Sequence, residues 1–576
     1  LTEPRGTFIN AAMPTIPTNR VRPGYGVQLA HTYIARQNLF NDMKVTASWN
    51  GQRIPPAGDN WKRETYGFQF PQAFNRGRYD LEGIPRVSFS GTGSPAQIVG
   101  PSQSLLSPTT DITFTNTLTW IKNAHTLRSG VIVTRNRKDQ NGRGQHTGDV
   151  SFNPSGNPRS TGYSFADALL GNFRSYSEGG DDPLGFFRFT QYGGYVSDTW
   201  RAKQNLSLEM GLRYEYQQPI YTQGNNITNF VPELYDPAAA AVLNRNGSIA
   251  SLGTNRYTGL IRAGNGIPED QQDRVTLDPV AAALIPTGAP RGLYKTSHLF
   301  MPRFSGAYTL RRDWVIRGGI GLFYDKPEGN VIFSQTNLPP FVPSVSVENG
   351  NLANPLGGAA SGASVLGGIP ALDPNMDVPR QLQYSLGVQR ELPWGHFGEI
   401  TYVGNKGRNL LWQPDINIPT FEEETANQLL PAAQRANTNF LRPYKGYSSI
   451  TQRRSDAFSD FNSVQFYLNK RRGSIKYSVS YTLGKSTGLG SGNGDNILDD
   501  EGWRPTDNVD LSYFVGPSSF DRRHALVIIP TYTPRYLRER RDILGQLLGG
   551  WEISGKIRWQ SGSYLTPTGN TLIGVR

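Results

Sequence analysis

The sequence offers few side chains in arrangements that could perform covalent or metal chemistry. It contains no cysteine, which excludes a thiolate metal site, a cysteine nucleophile and a disulfide framework. Neither a His-Glu-x-x-His pair nor a Gly-x-Ser-x-Gly segment is present. The dispersed histidines are interpreted as turn or loop residues rather than metal ligands: His31, His125, His146, His298, His396 and His524. We therefore expect no enzymatic activity, no metal site and no cofactor.

One segment resembles the end of a phosphate-binding loop. Gly484-Lys485-Ser486-Thr487 matches the last residues of that motif. The motif also needs a glycine five residues upstream, where this chain has Val479 within a strand pattern. A nucleotide site is therefore rejected.

A run of acidic residues follows this segment. Hard cations such as Ca²⁺ prefer several oxygen ligands, so a calcium site is one interpretation. The spacing matches no EF-hand loop, and we favour a solvated turn rich in Asp and Asn. The residues are Asp495, Asp499, Asp500, Glu501 and Asp507.

A second set of charged residues recurs at alternate positions of strand-like segments. Successive side chains of a strand point to opposite faces, so these residues lie on the polar face of each strand. In a membrane barrel that face lines the lumen, where it would form a solute path or bind a plug. The alternative is the outer face of a soluble sandwich. The lumen-facing candidates are Glu209, Arg213, Glu215, Lys476, Glu552, Lys556 and Arg558.

Aromatic residues recur near the ends of the same segments. Trp and Tyr are enriched at membrane–water interfaces, so we predict interfacial girdles. Ordinary core or turn packing is the alternative. The candidates are Trp120, Trp200, Tyr216, Trp314, Trp394, Trp551 and Trp559.

The strands that would position these residues follow one pattern, which is clearest from Asn462 to Leu483. Apolar residues alternate with polar ones on both arms of this hairpin, around a basic turn at 470–473. Its arms reach the roughly 9–11 residues that a tilted strand needs to cross a bilayer. Similar hairpins recur along the chain, and we count about 14 to 16 strands by this periodicity.

The connections between these strands alternate in length. Turns within hairpins are mostly two to five residues, whereas 218–298, 326–379, 412–460 and 485–519 are long and rich in Gly, Asn, Pro and Ser. This asymmetry is typical of outer-membrane barrels, in which short turns are periplasmic and long loops extracellular. Within the loops we predict short helices at Pro237–Asn244 and Glu422–Ala436. Near the N-terminus we predict strands at Thr65–Phe70 and Ile84–Ser90.

Composition agrees with an all-β, large antiparallel transmembrane barrel. Only 37% of the 576 residues are hydrophobic and the mean hydropathy is −0.48, yet 11% are aromatic, as expected when strands are half polar. There is no apolar run of 18 residues that would form a transmembrane helix. The net charge of +12 is spread over many turns, which argues against nucleic acid as a partner and suits solvated turns or anionic lipid head groups.

Several segments also resemble a known family. They are Phe165–Gly171, Tyr195–Trp200 with Asn205–Leu208 and Gly211–Glu215, Pro302–Ser305, Arg317–Asp325, Phe520–His524, and Gly550–Trp551 through Gln560–Gly562. In order and spacing they resemble the barrel of a TonB-dependent outer-membrane receptor, closest to the large Oar-like branch.

The resemblance implies a 22-stranded barrel closed by an N-terminal plug, which imports a scarce, bulky solute with energy relayed by the TonB complex. We expect residues 1–576 to form this barrel domain, incomplete at both ends and without a plug or a TonB-contacting segment. The implied surroundings are outer-membrane lipid. The ligand stays open among siderophore, cobalamin, glycan and peptide, because loops determine it. Two alternatives are a non-transporting surface protein or adhesin and a soluble all-β carbohydrate-binding protein or hydrolase.

Overall fold

The structure, a computed structural model, describes residues 2–5, 18–55, 58–67, 74, 83–91, 94, 105–142, 147–180, 183–325, 329–355, 366–431, 434–489, 515–518, 520–534 and 542–564. Fourteen strands form one antiparallel meander in which each strand pairs with the next. They are β1 (Gly24–Arg36), β2 (Leu39–Ile54), β3 (Leu105–Lys122), β4 (His125–Asn141), β5 (Leu184–Lys203), β6 (Leu206–Gln217), β7 (Ser297–Arg311), β8 (Trp314–Tyr324), β9 (Arg380–Leu392), β10 (His396–Trp412), β11 (Ile450–Lys470), β12 (Ile475–Leu489), β13 (His524–Tyr532) and β14 (Ile557–Gln560).

The meander is continuous from β1 to β14. β1 pairs with β2 from Gly24 opposite Asn50, and β13 pairs with β14 from Ala525 opposite Gln560. Within the described ranges, β1 has no strand partner besides β2, and β14 has none besides β13. The sheet therefore has two edges that do not meet.

Connection length alternates between the two ends of the sheet. One end has turns of two to four residues at 37–38, 123–124, 204–205, 312–313, 393–395 and 471–474. The other end carries the connections 55–104, 142–183, 218–296, 325–379, 413–449 and 490–523. The predicted asymmetry is confirmed, and the turn predicted at 470–473 is observed one residue later at 471–474, where Gly473 has φ 99°.

The two faces of the sheet differ in chemistry, as the alternation predicts. On β6, Met210 and Leu212 are exposed, whereas Arg213 is half-buried and Glu215 is buried. The register carries this division from strand to strand, since Leu212 lies opposite Val196 and Met210 lies opposite Phe304. One face of the sheet is thus an exposed apolar surface and the other is polar.

The three largest buried hydrophobic clusters join side chains of the long connections to side chains at the adjoining strand ends. One cluster packs Phe187 of β5 with Ile227, Phe333 and neighbours from several connections, and a second surrounds Phe230 and Tyr447. A third cluster covers a four-stranded sheet made of Arg86–Phe89, Asp149–Phe152, Ser175–Gly179 and Ser344–Glu348. We call these packed connections the loop layer.

The remaining elements are short. The helices are α1 (Ser164–Leu170), α2 (Pro279–Leu284), α3 (Asn330–Phe333), α4 (Phe421–Leu429), α5 (Thr438–Leu441) and α6 (Ile543–Leu548). None of the helices in the described residues has the length and apolarity to cross a membrane. Further short strands are Thr2–Arg5, Thr18–Val21, Tyr221–Thr222, Thr228–Phe230, Val242–Leu243, Ile249–Ser251, Leu260–Ala263, Thr287–Ala289, Ile369–Leu372, Val515–Pro517 and Ile553–Ser554.

Two local predictions are wrong, and a third holds only in part. Residues 237–240 form turns and a bend, followed by the strand Val242–Leu243, because tertiary pairing with Ile249–Ser251 overrides the run of alanines. The strand predicted from Thr65 is wrong where it is described, since Glu64–Tyr66 is a 3₁₀ turn ending at Gly67 in the left-handed region. The helix predicted at Glu422–Ala436 is confirmed in its first part as α4, which begins with a capping box at Thr420 and ends at Leu429.

Candidate functional site

The polar face of the sheet contains a recess of about 800 Å³ that spans β5 to β11. Its lining mixes a guanidinium, a carboxylate, amides and aromatic rings, including Arg303, Glu209, Gln383, Asn405 and Phe323. Concave sites of this size and mixture are typical of ligand pockets and solute paths.

Small residues create the recess. Across four neighbouring strands Glu209 lies opposite Ser305, Ser305 opposite Gly319, and Gly319 opposite Ser385. A Cβ at Gly319 would come within 3.1 Å of both the Ser305 Cβ and the Phe304 carbonyl oxygen. A row of long side chains here would fill the space, so these small residues keep the polar face open.

An aromatic residue borders the recess for a similar reason. The Tyr195 hydroxyl lies 3.0 Å from the Thr117 hydroxyl, with its ring over β4. A Cβ at Gly130 would meet the Tyr195 ring at 2.6 Å, so glycine is required for this approach.

An ion pair forms part of the polar face beside the recess. Arg213 Nη2 lies 2.5 Å from Glu215 Oε1, and Gln191 donates to the other carboxylate oxygen at 2.7 Å. Arg303, by contrast, lies over the Phe323 ring at 4.5 Å. Its guanidinium is exposed on the recess side, as is the carboxylate of Glu209, so both signs of charge face the open space.

A second polar network continues along the same face. Arg317 donates to Gln389, which donates to Glu399 at 2.8 Å, and Thr401 donates to the remaining oxygen of Glu399 at 2.9 Å. The sequence predictions did not include these residues. The signal that could have found them is the strand register, which brings Gln389 between Arg317 and Glu399 on neighbouring strands.

The predicted charged residues divide into two groups. Glu209 and Arg213 line the recess, and Glu215 holds Arg213 from beside it. Lys476, Glu552, Lys556 and Arg558 lie farther along the sheet, on β12 and near β14. Lys476 Nζ is 4.0 Å from Glu552 Oε2, and Arg558 donates to Gln560 at 2.8 Å. The register assigns Lys476 and Arg558 to the polar face, and Glu552 and Lys556 lie outside the paired segments. Contact of all four with a solute stays a prediction.

The predicted interfacial aromatics occupy both ends of the apolar face. Trp120, Trp200 and Trp314 lie next to short turns, Trp394 lies within one, and Trp551 follows α6 at the same end, whereas Tyr216 and Trp559 lie near the long connections. On β5, Tyr192 beside Tyr216 and Trp200 are eight residues apart, or roughly 27 Å along the strand. With a tilt of about 40°, this separation approaches the roughly 25 Å height of an outer-membrane apolar band.

The family described as Outer membrane beta barrel domain matches residues 2–575 of the chain. The chain belongs to this family. Its place is therefore the outer membrane, where barrels turn an apolar surface to lipid and a polar surface to the lumen and carry their long loops outside the cell. This location excludes the soluble carbohydrate-binding or hydrolase alternative.

Solved outer-membrane proteins resemble the barrel at low identity. The outer-membrane transporter YddB from Escherichia coli is 12% identical, with a TM-score of 0.47 over 90% of this chain and 50% of that one. The copper transporter OprC is 10% identical (TM-score 0.40, 90% and 51% covered), and the pyoverdine receptor FpvA from Pseudomonas aeruginosa is 10% identical (0.39, 95% and 51%). The chain spans about half the length of these proteins. No curated protein matches it in sequence.

The histidines of the barrel have a different setting from the one predicted. His31, His125, His298, His396 and His524 lie in strands, and His146 lies outside the described residues. Three bind a tyrosine hydroxyl of another strand. His298 binds Tyr214 at 2.8 Å and His524 binds Tyr481 at 2.7 Å, each on the adjacent strand, whereas His396 on β10 reaches across β11 to Tyr477 on β12 at 2.9 Å. Sequence reasoning missed these pairs because the partner is fixed by register. These pairs lie near the ends of the apolar face. At that level of an outer-membrane barrel, the polar edge of an aromatic ring faces the membrane–water interface.

No group of three His, Asp or Glu side chains capable of holding a metal ion occurs in the part of the chain that the structure describes. The acidic run Asp495, Asp499, Asp500, Glu501 and Asp507 lies outside the described residues. The favoured solvated turn and the alternative calcium site therefore both stay untested. The barrel site that the geometry does present is the open, polar recess of the lumen.

Proposed function

We propose that this barrel is part of an active, non-enzymatic importer of the Oar-like branch of TonB-dependent receptors. A scarce, bulky solute is captured by the loop layer and passes along the polar face of the lumen. The barrel domain spans residues 1–576, and a plug domain from outside this stretch closes the lumen and contacts the TonB complex. The solute is a siderophore, cobalamin, glycan or peptide.

The observation that carries this proposal is the recess floored by Ser305, Gly319 and Ser385. A barrel wall that serves only as a support has no need for a concave, two-signed polar surface at mid-strand. Exposed Glu209 and Arg303 offer both an acceptor and donors to a passing solute or to a plug loop. Because the carboxylate and guanidinium stand on neighbouring strands, a zwitterionic or polyhydroxylated surface fits them better than an apolar one.

A non-transporting surface protein is the second candidate, and the loop layer favours it. Three buried clusters and a separate four-stranded sheet make this layer a rigid surface rather than a set of loose loops. Rigid, extracellular surfaces suit adhesion as well as ligand capture.

Uptake assays separate the two candidates. Cells with the protein, cells lacking it and cells lacking TonB are given labelled siderophores, cobalamin, oligosaccharides and peptides in turn. The importer predicts that uptake of one class is lost in both deletion strains. Uptake that persists without TonB, or no uptake that depends on the protein alongside a loss of surface adhesion, overturns the importer.

A further inference from the structure

The connection between β13 and β14 differs from every other described turn at the periplasmic end. The six other turns have two to four residues, whereas this one runs from Thr533 to Glu552 and contains α6. Asp542 begins the helix by accepting a hydrogen bond from the Gly545 N–H at 3.0 Å, and Gly550, with φ 77°, follows its end. The protein therefore builds a defined helix where a tight turn would connect the two strands.

This helix carries its large apolar side chains on one side. Ile543, Leu544, Leu547 and Leu548 follow the spacing i, i+1, i+4 and i+5, which places them on one side of a helix. They are 74%, 49%, 64% and 52% exposed, while Gly545 on another side of the helix is buried. A patch of four exposed aliphatic side chains requires a cover.

Trp551 joins this patch to the lipid-facing surface of the barrel. Its indole Nε1 donates to the Leu547 carbonyl oxygen at 2.8 Å, which holds the ring beside the helix. Beyond it, the side chains of Ile553, Ile557 and Trp559 lie on the apolar face of the sheet. Those of Ser554 and Arg558, which alternate with them, lie on the polar face. The apolar side of α6 thus continues a surface that lipid already covers.

The adjoining sequence supplies a charge that favours the same cover. Residues 535–541 contain four arginines and one glutamate. Basic residues beside an apolar helix are attracted to anionic phospholipid head groups, which strengthens binding at an interface.

We propose that α6 and Trp551 form an interfacial anchor that lies in the periplasmic leaflet of the outer membrane, with phospholipid as its ligand. The helix axis lies parallel to the membrane plane, its aliphatic side contacts acyl chains, and Gln546 faces water. The anchor fixes the periplasmic edge of β13 and β14 in the bilayer. This inference depends on the orientation of the barrel and holds whether or not the barrel transports a solute.

Spin labels at single cysteines test the anchor directly. Because residues 1–576 contain no cysteine, Leu547→Cys, Gln546→Cys and Ile400→Cys each give one labelling site in this chain, reconstituted in phosphatidylethanolamine–phosphatidylglycerol vesicles. Ile400 lies on the apolar face of β10 and is the reference for lipid contact and correct folding. Collisions with oxygen report lipid, and collisions with a water-soluble nickel chelate report water.

The label at 547 is expected to favour oxygen, at a depth of about 5–10 Å below the head groups, whereas the label at 546 favours the nickel chelate. Equal exposure of both labels to the chelate overturns the anchor. Shielding of the 547 label from both reagents, with Ile400→Cys normal, also overturns it and indicates a protein cover, either a second copy or a periplasmic partner. A second variant, Leu544→Ser with Leu548→Ser, is expected to shift the 547 label toward the chelate.

Discussion

The buried hydroxyl of Tyr447 donates a hydrogen bond of 2.9 Å to the carbonyl oxygen of Thr258, 189 residues earlier in the chain. The bond links the connection after β10 to the connection after β6. Phe230 packs its ring against Tyr447 with the centroids 5.2 Å apart. Burial raises the pKa of Tyr447 well above its usual value, so the hydroxyl remains a donor throughout the physiological range.

Replacing Tyr447 with phenylalanine should loosen the loop layer while leaving the barrel intact. The change keeps the ring but leaves the Thr258 carbonyl buried without this donor, at a cost of about 1–3 kcal/mol. Hydrogen exchange of the segments around Thr258 and Tyr447 should accelerate. Amides of β6 and β10 serve as the internal control, and equal acceleration there would contradict a local role.

The strands were predictable because a half-buried strand has a period of two. The segment Leu206–Tyr216 read from alternation is observed as Leu206–Gln217. The hairpin Asn462–Leu483 is also observed, but β11 begins at Ile450, twelve residues earlier than predicted. This extension pairs in parallel with Ile369–Leu372 in the loop layer, and such a distant partner leaves no periodic signal.

The recess was predictable only in part. Glu209 and Arg213 were singled out because charged residues alternate with apolar ones on β6. Ser305, Gly319 and Ser385 carry no chemical signal of their own, and their role appears only when the register aligns them across strands. The loop layer was missed for a related reason, since its core residues come from segments far apart in sequence.

The loop that leads into α1 should lose order in acid. Burial raises the pKa of Asp167, but hydrogen bonds from Ser160 and Thr161 to its carboxylate outweigh this effect, so the pKa is lowered from its usual 3.8. A carboxyl group whose pKa is lower in the folded protein than in the unfolded chain stabilises the fold at pH values above the unfolded pKa. This stabilisation is lost as the pH falls through the pKa of the folded state. Proteolysis by pepsin within 160–171 should therefore increase below about pH 3.8. Asp167→Asn should show this sensitivity already at pH 6, when probed with a protease active there. An acid response of Asp167→Asn as large as that of the unchanged protein would refute the assignment.

The Arg213–Glu215 pair should contribute to barrel stability more than an exposed ion pair does. Glu215 is buried and accepts hydrogen bonds from Arg213 and Gln191. Glu215→Ala leaves both donors without this acceptor and should cost about 2–4 kcal/mol in urea unfolding from detergent micelles. The matched control is Glu209→Ala on the same strand, which is exposed and should change the unfolding free energy by less than about 1 kcal/mol. Equal losses for the two variants would show that burial of the pair has no special effect.

Filling the recess should block the solute without harming the fold. Ser385→Trp adds an indole to the floor between Gly319 and Val403, on the polar face. The next residue provides the control, because Leu386 is 61% exposed on the lipid-facing side, where Leu386→Trp meets only acyl chains.

Both variants should reach the outer membrane in equal amounts, as measured by surface labelling of the loop layer. With a substrate identified by the TonB-dependent uptake assay, Ser385→Trp should reduce initial uptake to about a tenth or less, because pore dimension limits passage. Leu386→Trp should retain uptake within about twofold, since a lipid-facing indole leaves the lumen unchanged. Normal uptake by a well-expressed Ser385→Trp protein, or an equal loss of uptake in the two variants, would contradict a specific role of the recess in the solute path.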